Sequence, residues 1–141
     1  MTKVASISHE GLKIFEVDSM DELRRVSRCK IPGALCVSWN HTNNVLAVGG
    51  NDDTIHLVQA YDGESLTSIP FDEEDAFEGP VRCLAFSGSS RYLVSSAGST
   101  INLWDLKRRQ LKATFGGHRA EVTCLSTSSE GDIVSGDASG A

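Results

Sequence analysis

Three segments of this chain repeat one another, and that repeat constrains the fold more than any other feature. They are ALCVSWNHTNNVLAVGG (34–50), VRCLAFSGSSRYLVSSAG (81–98) and VTCLSTSSEGDIVSG (122–136). Each holds a cysteine, an aliphatic residue, a polar turn, and a second apolar run ending in small residues. Cys36 and Cys83 are 47 positions apart, and Cys83 and Cys124 are 41 apart. A second register runs alongside: LKIFEV, TIHLVQA and TINLWDL, with Phe15 to Val58 spanning 43 positions and Val58 to Trp104 spanning 46. A period of roughly 40–45 residues implies one supersecondary unit that covers its hydrophobic faces by stacking on copies of itself.

The local chemistry says that the unit is a small antiparallel sheet. The apolar runs are short, rich in Val, Ile and Leu, and bounded by Gly, Asn, Ser and Asp. NHTNN (40–44) and SGSSR (87–91) read as turns between first and second strands; GGNDD (49–53) and AGS (97–99) read as turns between second and third. No twelve-residue window sustains a 3.6 period. The one helix-like patch, Met20 to Arg28, reads as a fourth strand after a turn. CLAF and LAV are apolar on both sides, the mark of a strand buried on both faces. Cys36, Cys83 and Cys124 therefore read as small buried packing residues. With Cys29 they form no C-x-x-C pair, which argues against a zinc ribbon or a redox motif; reduced thiols are expected.

GGHRAEVTCL (116–125) and STINLWDL (99–106) carry a Gly-His opening and a Trp-Asp ending. With these, the repeat resembles the WD-repeat family over nearly the whole chain. The resemblance implies an all-β, WD-repeat β-propeller, present in part: about three to three and a half blades of a seven-bladed ring. Blade 1 falls at about 1–30, blade 2 at about 33–71, blade 3 at about 80–115 and a partial blade 4 at about 117–141. On that count the chain is expected to be the N-terminal part of a longer protein, since propellers close with four to eight blades. Alone it would expose strand edges that invite association.

The resemblance also implies structural blade residues that can share hydrogen bonds: His118, Ser135, Trp104, Asp105 and Asp52. No blade carries the full set. Blade 4 offers His118 and Ser135, with Ser139 at the turn position. Blade 3 offers Ser95 or Ser96 with Trp104, but Gly79-Pro80 stands where Gly-His would be. Blade 2 has Asp52 in its turn and Val58 in place of Trp.

Within the family, VSWNHTNNVLA, SGSSRYLVSS and INLWDLKRRQLKATFGGH are similar to the N-terminal propeller of Nedd-type proteins that target the γ-tubulin ring complex, particularly plant versions. That implies a non-enzymatic scaffold in the cytoplasm or cytoskeleton, at centrosome or spindle. It implies partners among γ-tubulin complex or microtubule-associated proteins, and the remaining blades of the same propeller. A rival is the substrate-receptor propeller of a ubiquitin ligase. That class often has Arg two residues after Trp-Asp, where this chain has Leu106 and Lys107.

Charge narrows the partners further. The net charge is −6, which argues against nucleic acid or an anionic membrane as the main partner, because phosphates need a basic field. No run of 18 apolar residues occurs, and MTKVASISHEGLK lacks the apolar core of a secretory signal. Two stretches are candidate partner surfaces. The acidic one, FDEEDAFEG (71–79), presents Asp72, Glu73, Glu74 and Asp75. The basic one, DLKRRQLK (105–112), presents Lys107, Arg108 and Arg109, with RRVSRCK (24–30) similar to it. The plainest account of each is a solvated turn. His9, His41 and His56 have no metal-ligand spacing, and no nucleophile accompanies His118 by motif. No catalytic residue, cofactor or metal is expected.

Overall fold

A computed structural model describes residues 2–8, 11–17, 23–29, 33–40, 42, 44–51, 54–60, 64–70, 79–87, 91–116, 118–128 and 132–139. For residues 2–3, 11, 16–17 and 23–29 only the backbone is described. The described residues form strands and turns with no helix. β1 (Thr2–Ser8), β2 (Gly11–Val17) and β3 (Leu23–Cys29) make a three-stranded sheet. β4 (Ala34–Trp39), β5 (Val45–Gly50), β6 (Ile55–Gln59) and β7 (Ser65–Ile69) make a four-stranded sheet. β8 (Val81–Ser87), β9 (Tyr92–Ala97), β10 (Thr100–Asp105) and β11 (Gln110–Phe115) make the next. β12 (Val122–Thr127) pairs with β13 (Ile133–Asp137). Every pairing is antiparallel between consecutive strands. The helix-like patch becomes β3, as its turn-then-strand reading expects.

One irregularity recurs and explains both sequence registers. The ladder between first and second strands slips between Ala34 and Cys36, between Val81 and Cys83, and between Val122 and Cys124. Leu35, Arg82 and Thr123 are thus the extra residues of three β-bulges, and all three are exposed. Each cysteine resumes the pairing, opposite Gly49, Ser96 and Gly136. A second slip falls between third and fourth strands, after Ile14, Leu57 and Leu103. It makes Phe15, Val58 and Trp104 equivalent and leaves Val26, Leu66 and Lys112 as extra residues. A bulge bends the strand and re-aims one side chain, so the same device is built three times into each position.

The sheets stack through their first strands: β4 on β8 and β8 on β12, with β1 against β4. The β4–β7 sheet is buried on both faces. Ala47, Ile55, Leu57 and Ile69 meet Val81, Leu84, Leu93, Ala97 and Trp104 on one side. Leu46, Val48, Val58 and Ala60 meet Leu12 and Ile14 on the other. Val94, Ile101 and Val122 fill the next gap. At about 1.5–3 kcal/mol for each large buried aliphatic side chain, these interfaces outweigh any one hydrogen bond between sheets, which contributes about 1 kcal/mol.

The approach is close. A Cβ on Gly49 would lie 2.7 Å from Val81 Cγ1, so only glycine lets the two sheets meet there. The Cys36 thiol sits 3.4 Å from the Val81 carbonyl, and the Cys83 thiol 3.9 Å from that of Val122. Thr127 Oγ1 donates to Phe86 O at 2.7 Å, and Arg82 pairs with Glu121. The expectation of three buried cysteines needs correction. Cys83 is buried, Cys36 is half-buried, and Cys124 is exposed. Cys36 and Cys83 each lie under the first strand of the following sheet, whereas no described strand covers Cys124. Burial pushes the Cys36 thiol up to about 12, and raises Cys83 as well.

Candidate functional site

β13 alternates its side chains, so Ser135 and Asp137 lie on one face. His118, four residues before β12, sits against both. Its Nδ1 is 2.9 Å from Asp137 Oδ2 and its Nε2 is 2.7 Å from Ser135 Oγ. A carboxylate only accepts, so Nδ1 carries the hydrogen and donates to Asp137. The Asp137 side chain has no exposed surface. Its other oxygen accepts from the Ser139 N–H at 2.9 Å and Oγ–H at 2.6 Å. The acid partner of His118 is therefore Asp137, at the end of the second strand. The turn position expected from the repeat, Ser139, instead donates to that acid.

Ser–His–Asp in this order is also the connectivity of a hydrolytic triad. Ser135 lines a cavity of about 240 Å³. Among the described residues the other walls are the apolar side chains of Ile101, Phe115 and Ile133. The arrangement locks β13 to the segment before β12.

The β8–β11 sheet holds the other half of such a network. Trp104 Nε1 donates to Ser95 Oγ at 2.9 Å, and both residues are fully buried. Of the two serines considered for this role, Ser95 serves; Ser96 is buried opposite Cys83. Ser95 pairs with Leu84 and Ser135 with Leu125, each the residue after the first-strand cysteine. The equivalent position in β5 is Val48, opposite Val37, and Val58 stands where Trp104 does.

Asp105, the second half of the Trp-Asp pair, has a separate task. It is buried and accepts from the backbone N–H of Lys107 and of Arg108, each at 3.1 Å, which closes the turn between β10 and β11. The Arg108 amide first, and then the charge of Arg91 at 3.6 Å, hold its carboxyl below the usual aspartate range. Lys107, Arg108 and Arg109 project from that turn, exposed. Arg109 adopts a left-handed φ of 56° and reaches Thr67 Oγ1 of β7 at 3.2 Å.

Sequence reasoning included Lys112 in its basic stretch but missed two neighbours of this turn, Arg91 and Tyr92. Lys112 Nζ donates to the Tyr92 hydroxyl at 3.0 Å and lies 4.4 Å from that ring's centroid; the Arg91 guanidinium lies 5.2 Å from it. Asp52 and the acidic residues Asp72, Glu73, Glu74 and Asp75 lie outside the described residues, as do His9 and His41. Among the described residues no three His, Cys, Asp or Glu side chains are grouped to hold a metal.

Against known families, residues 28–58, 71–105 and 109–141 match the WD domain, G-beta repeat. The chain belongs to the WD-repeat family. Its stacked sheets are the blades of a partial β-propeller, and WD-repeat propellers act as scaffolds and adaptors for protein–protein interaction. The human Protein NEDD1 is 27% identical over 94% of this chain and 20% of its own length. The Xenopus laevis U3 small nucleolar RNA-associated protein 15 homolog is 30% identical over 86% of the chain and 22% of its own length. The Arabidopsis thaliana cell division cycle 20.1, cofactor of APC complex, is 33% identical over 63% of the chain and 19% of its own length. The chain thus spans about a fifth of each of these relatives.

Proposed function

We propose that this chain is a non-enzymatic adaptor propeller that helps bring γ-tubulin ring complexes to microtubule nucleation sites at centrosome or spindle. The observation that carries the reading is the likeness to human NEDD1 across 94% of the chain, together with the Nedd-type wording of blade 3. Blade 1 is read as about 1–30, blade 2 as 33–71, blade 3 as 80–115 and blade 4 as 117–141, within one propeller. The mechanism is presentation. Stacked blades with hydrogen-bonded and apolar pins hold turns and connecting loops at fixed spacing, so a partner meets a preorganised surface with a few strong anchors.

The test is recovery and localisation of a tagged chain in dividing cells. Co-precipitation of γ-tubulin complex proteins and signal on spindle microtubules are the expected results. Recovery of cullin adaptors in their place would convert the reading to that of a ubiquitin-ligase substrate receptor.

A further inference from the structure

The turn between β10 and β11 is the centre of a larger basic rim. Five of the thirteen Lys and Arg residues of the chain are Arg91, Lys107, Arg108, Arg109 and Lys112. Register brings them together. Tyr92 pairs with Asp105, and Asp105 with Gln110, so Arg91 and the 106–109 turn share one end of the sheet. The bulge in β11 supplies Lys112, the extra residue between Leu111 and Ala113, whose ammonium crosses to Tyr92. All five cations are exposed. The carboxylate they surround, Asp105, is buried; one oxygen accepts from the turn amides and the other lies 3.6 Å from Arg91. Arg109 extends the rim to blade 2 through Thr67.

We infer that this rim is a docking surface for an acidic segment of another protein, a short run of Asp and Glu side chains. Arginine forks fit carboxylates in two-point contacts. Tyr92 accepts from Lys112, which leaves its own O–H to donate to an incoming carboxylate. The remaining charge of the chain selects the class of partner. With a net charge of −6 overall, the chain as a whole repels a long polyanion that extends beyond the rim. Screening limits a short segment to the local field, since the Debye length is about 8–10 Å near physiological salt. A peptide therefore fits better than nucleic acid or an anionic bilayer. This inference stands independently of the γ-tubulin reading.

The experiment is a fluorescence-anisotropy titration of the full chain with a labelled octaglutamate peptide, beside an eight-nucleotide single strand and phosphatidylserine vesicles. Saturable peptide binding is expected, tighter than either alternative and weaker as salt rises. The double variant Lys107→Ser, Arg108→Ser keeps the backbone amides that cap Asp105, so its unfolding midpoint should not move. Its peptide affinity should fall about tenfold. Lys112→Gln alters one exposed bulge side chain and should weaken binding about threefold. Absence of peptide binding, equal affinity in the variants, or tighter binding of the oligonucleotide or vesicles would each overturn the inference.

Discussion

Blades 3 and 4 use one serine position in two different ways. In blade 3, Ser95 accepts from the Trp104 indole, and the sequence before β8, residues 71–80, holds no histidine to complete the set. In blade 4, Ser135 meets His118, which is held in turn by Asp137. Blade 2 uses neither, filling the same two positions with Val48 and Val58, both fully buried. The difference teaches that the fold asks only for a filled, satisfied position at this point of the second strand. Burial against the neighbouring blade supplies most of the stability. The polar pins decide how rigidly each blade holds its own strands.

Substitutions can break the comparison at each blade. The largest effect belongs to Trp104→Ala, which empties the biggest fully buried side chain and should cost about 3–5 kcal/mol in urea unfolding. Trp104→Phe keeps much of the volume but strands the Ser95 hydroxyl, and about 1–3 kcal/mol is expected. A Phe variant as damaging as the Ala variant would mean that the hydrogen bond, not the packing, dominates blade 3.

Asp137→Ala comes next. It removes the group that orients His118, and a loss of about 1.5–3 kcal/mol is expected. Its signature is spatial: amide exchange should quicken in β12 and β13 while β8–β11 stays protected. Uniform acceleration would show that the blade 4 network also holds blade 3. Val48→Thr places a hydroxyl at the serine position of blade 2 with no indole or imidazole to meet it. It should destabilise by about 1–2 kcal/mol despite its nearly unchanged shape, and a neutral result would reveal an acceptor there.

Asp105→Asn sharpens the comparison on the pH axis and has the smallest effect. The folded Asp105 carboxyl lies below its ordinary range, so its contribution is fully present above about pH 4. It is lost as pH falls through the lowered folded value. Urea midpoints of the native chain and of Asp105→Asn should therefore converge as the solution becomes more acidic. Midpoints that stay a constant interval apart would remove the charged form from the account.

Much of this architecture was legible in the residues. The cysteine register and the Phe15–Val58–Trp104 register each mark the residue after a bulge, so repeated backbone geometry left a repeated chemical trace. The Leu23–Cys29 strand was legible from its place in the period, against its helix-like composition. Asp137 was hidden because the repeat points to position 139, and only the pairing of β13 with β12 reveals which carboxyl faces His118. Exposure of Cys124 was hidden for a similar reason, since it depends on what lies over a strand and not on the strand itself. The meeting of Lys112 with Arg91 and Tyr92 was illegible in the same way. Tyr92 of β9 and Lys112 of β11 are separated by β10, Arg91 lies in the turn before β9, and Lys112 is delivered by a bulge whose location no single strand discloses.

The central claim is that equivalent first strands lie side by side, with Cys36 and Cys83 each against the valine that opens the first strand of the following blade. A NOESY spectrum of the isotopically labelled chain tests it most directly, through the side chains of Cys36 and Cys83. Cross-peaks from Cys36 to Val81 and from Cys83 to Val122 are the expected result. Cysteine resonances that contact only residues of their own sheet would contradict it.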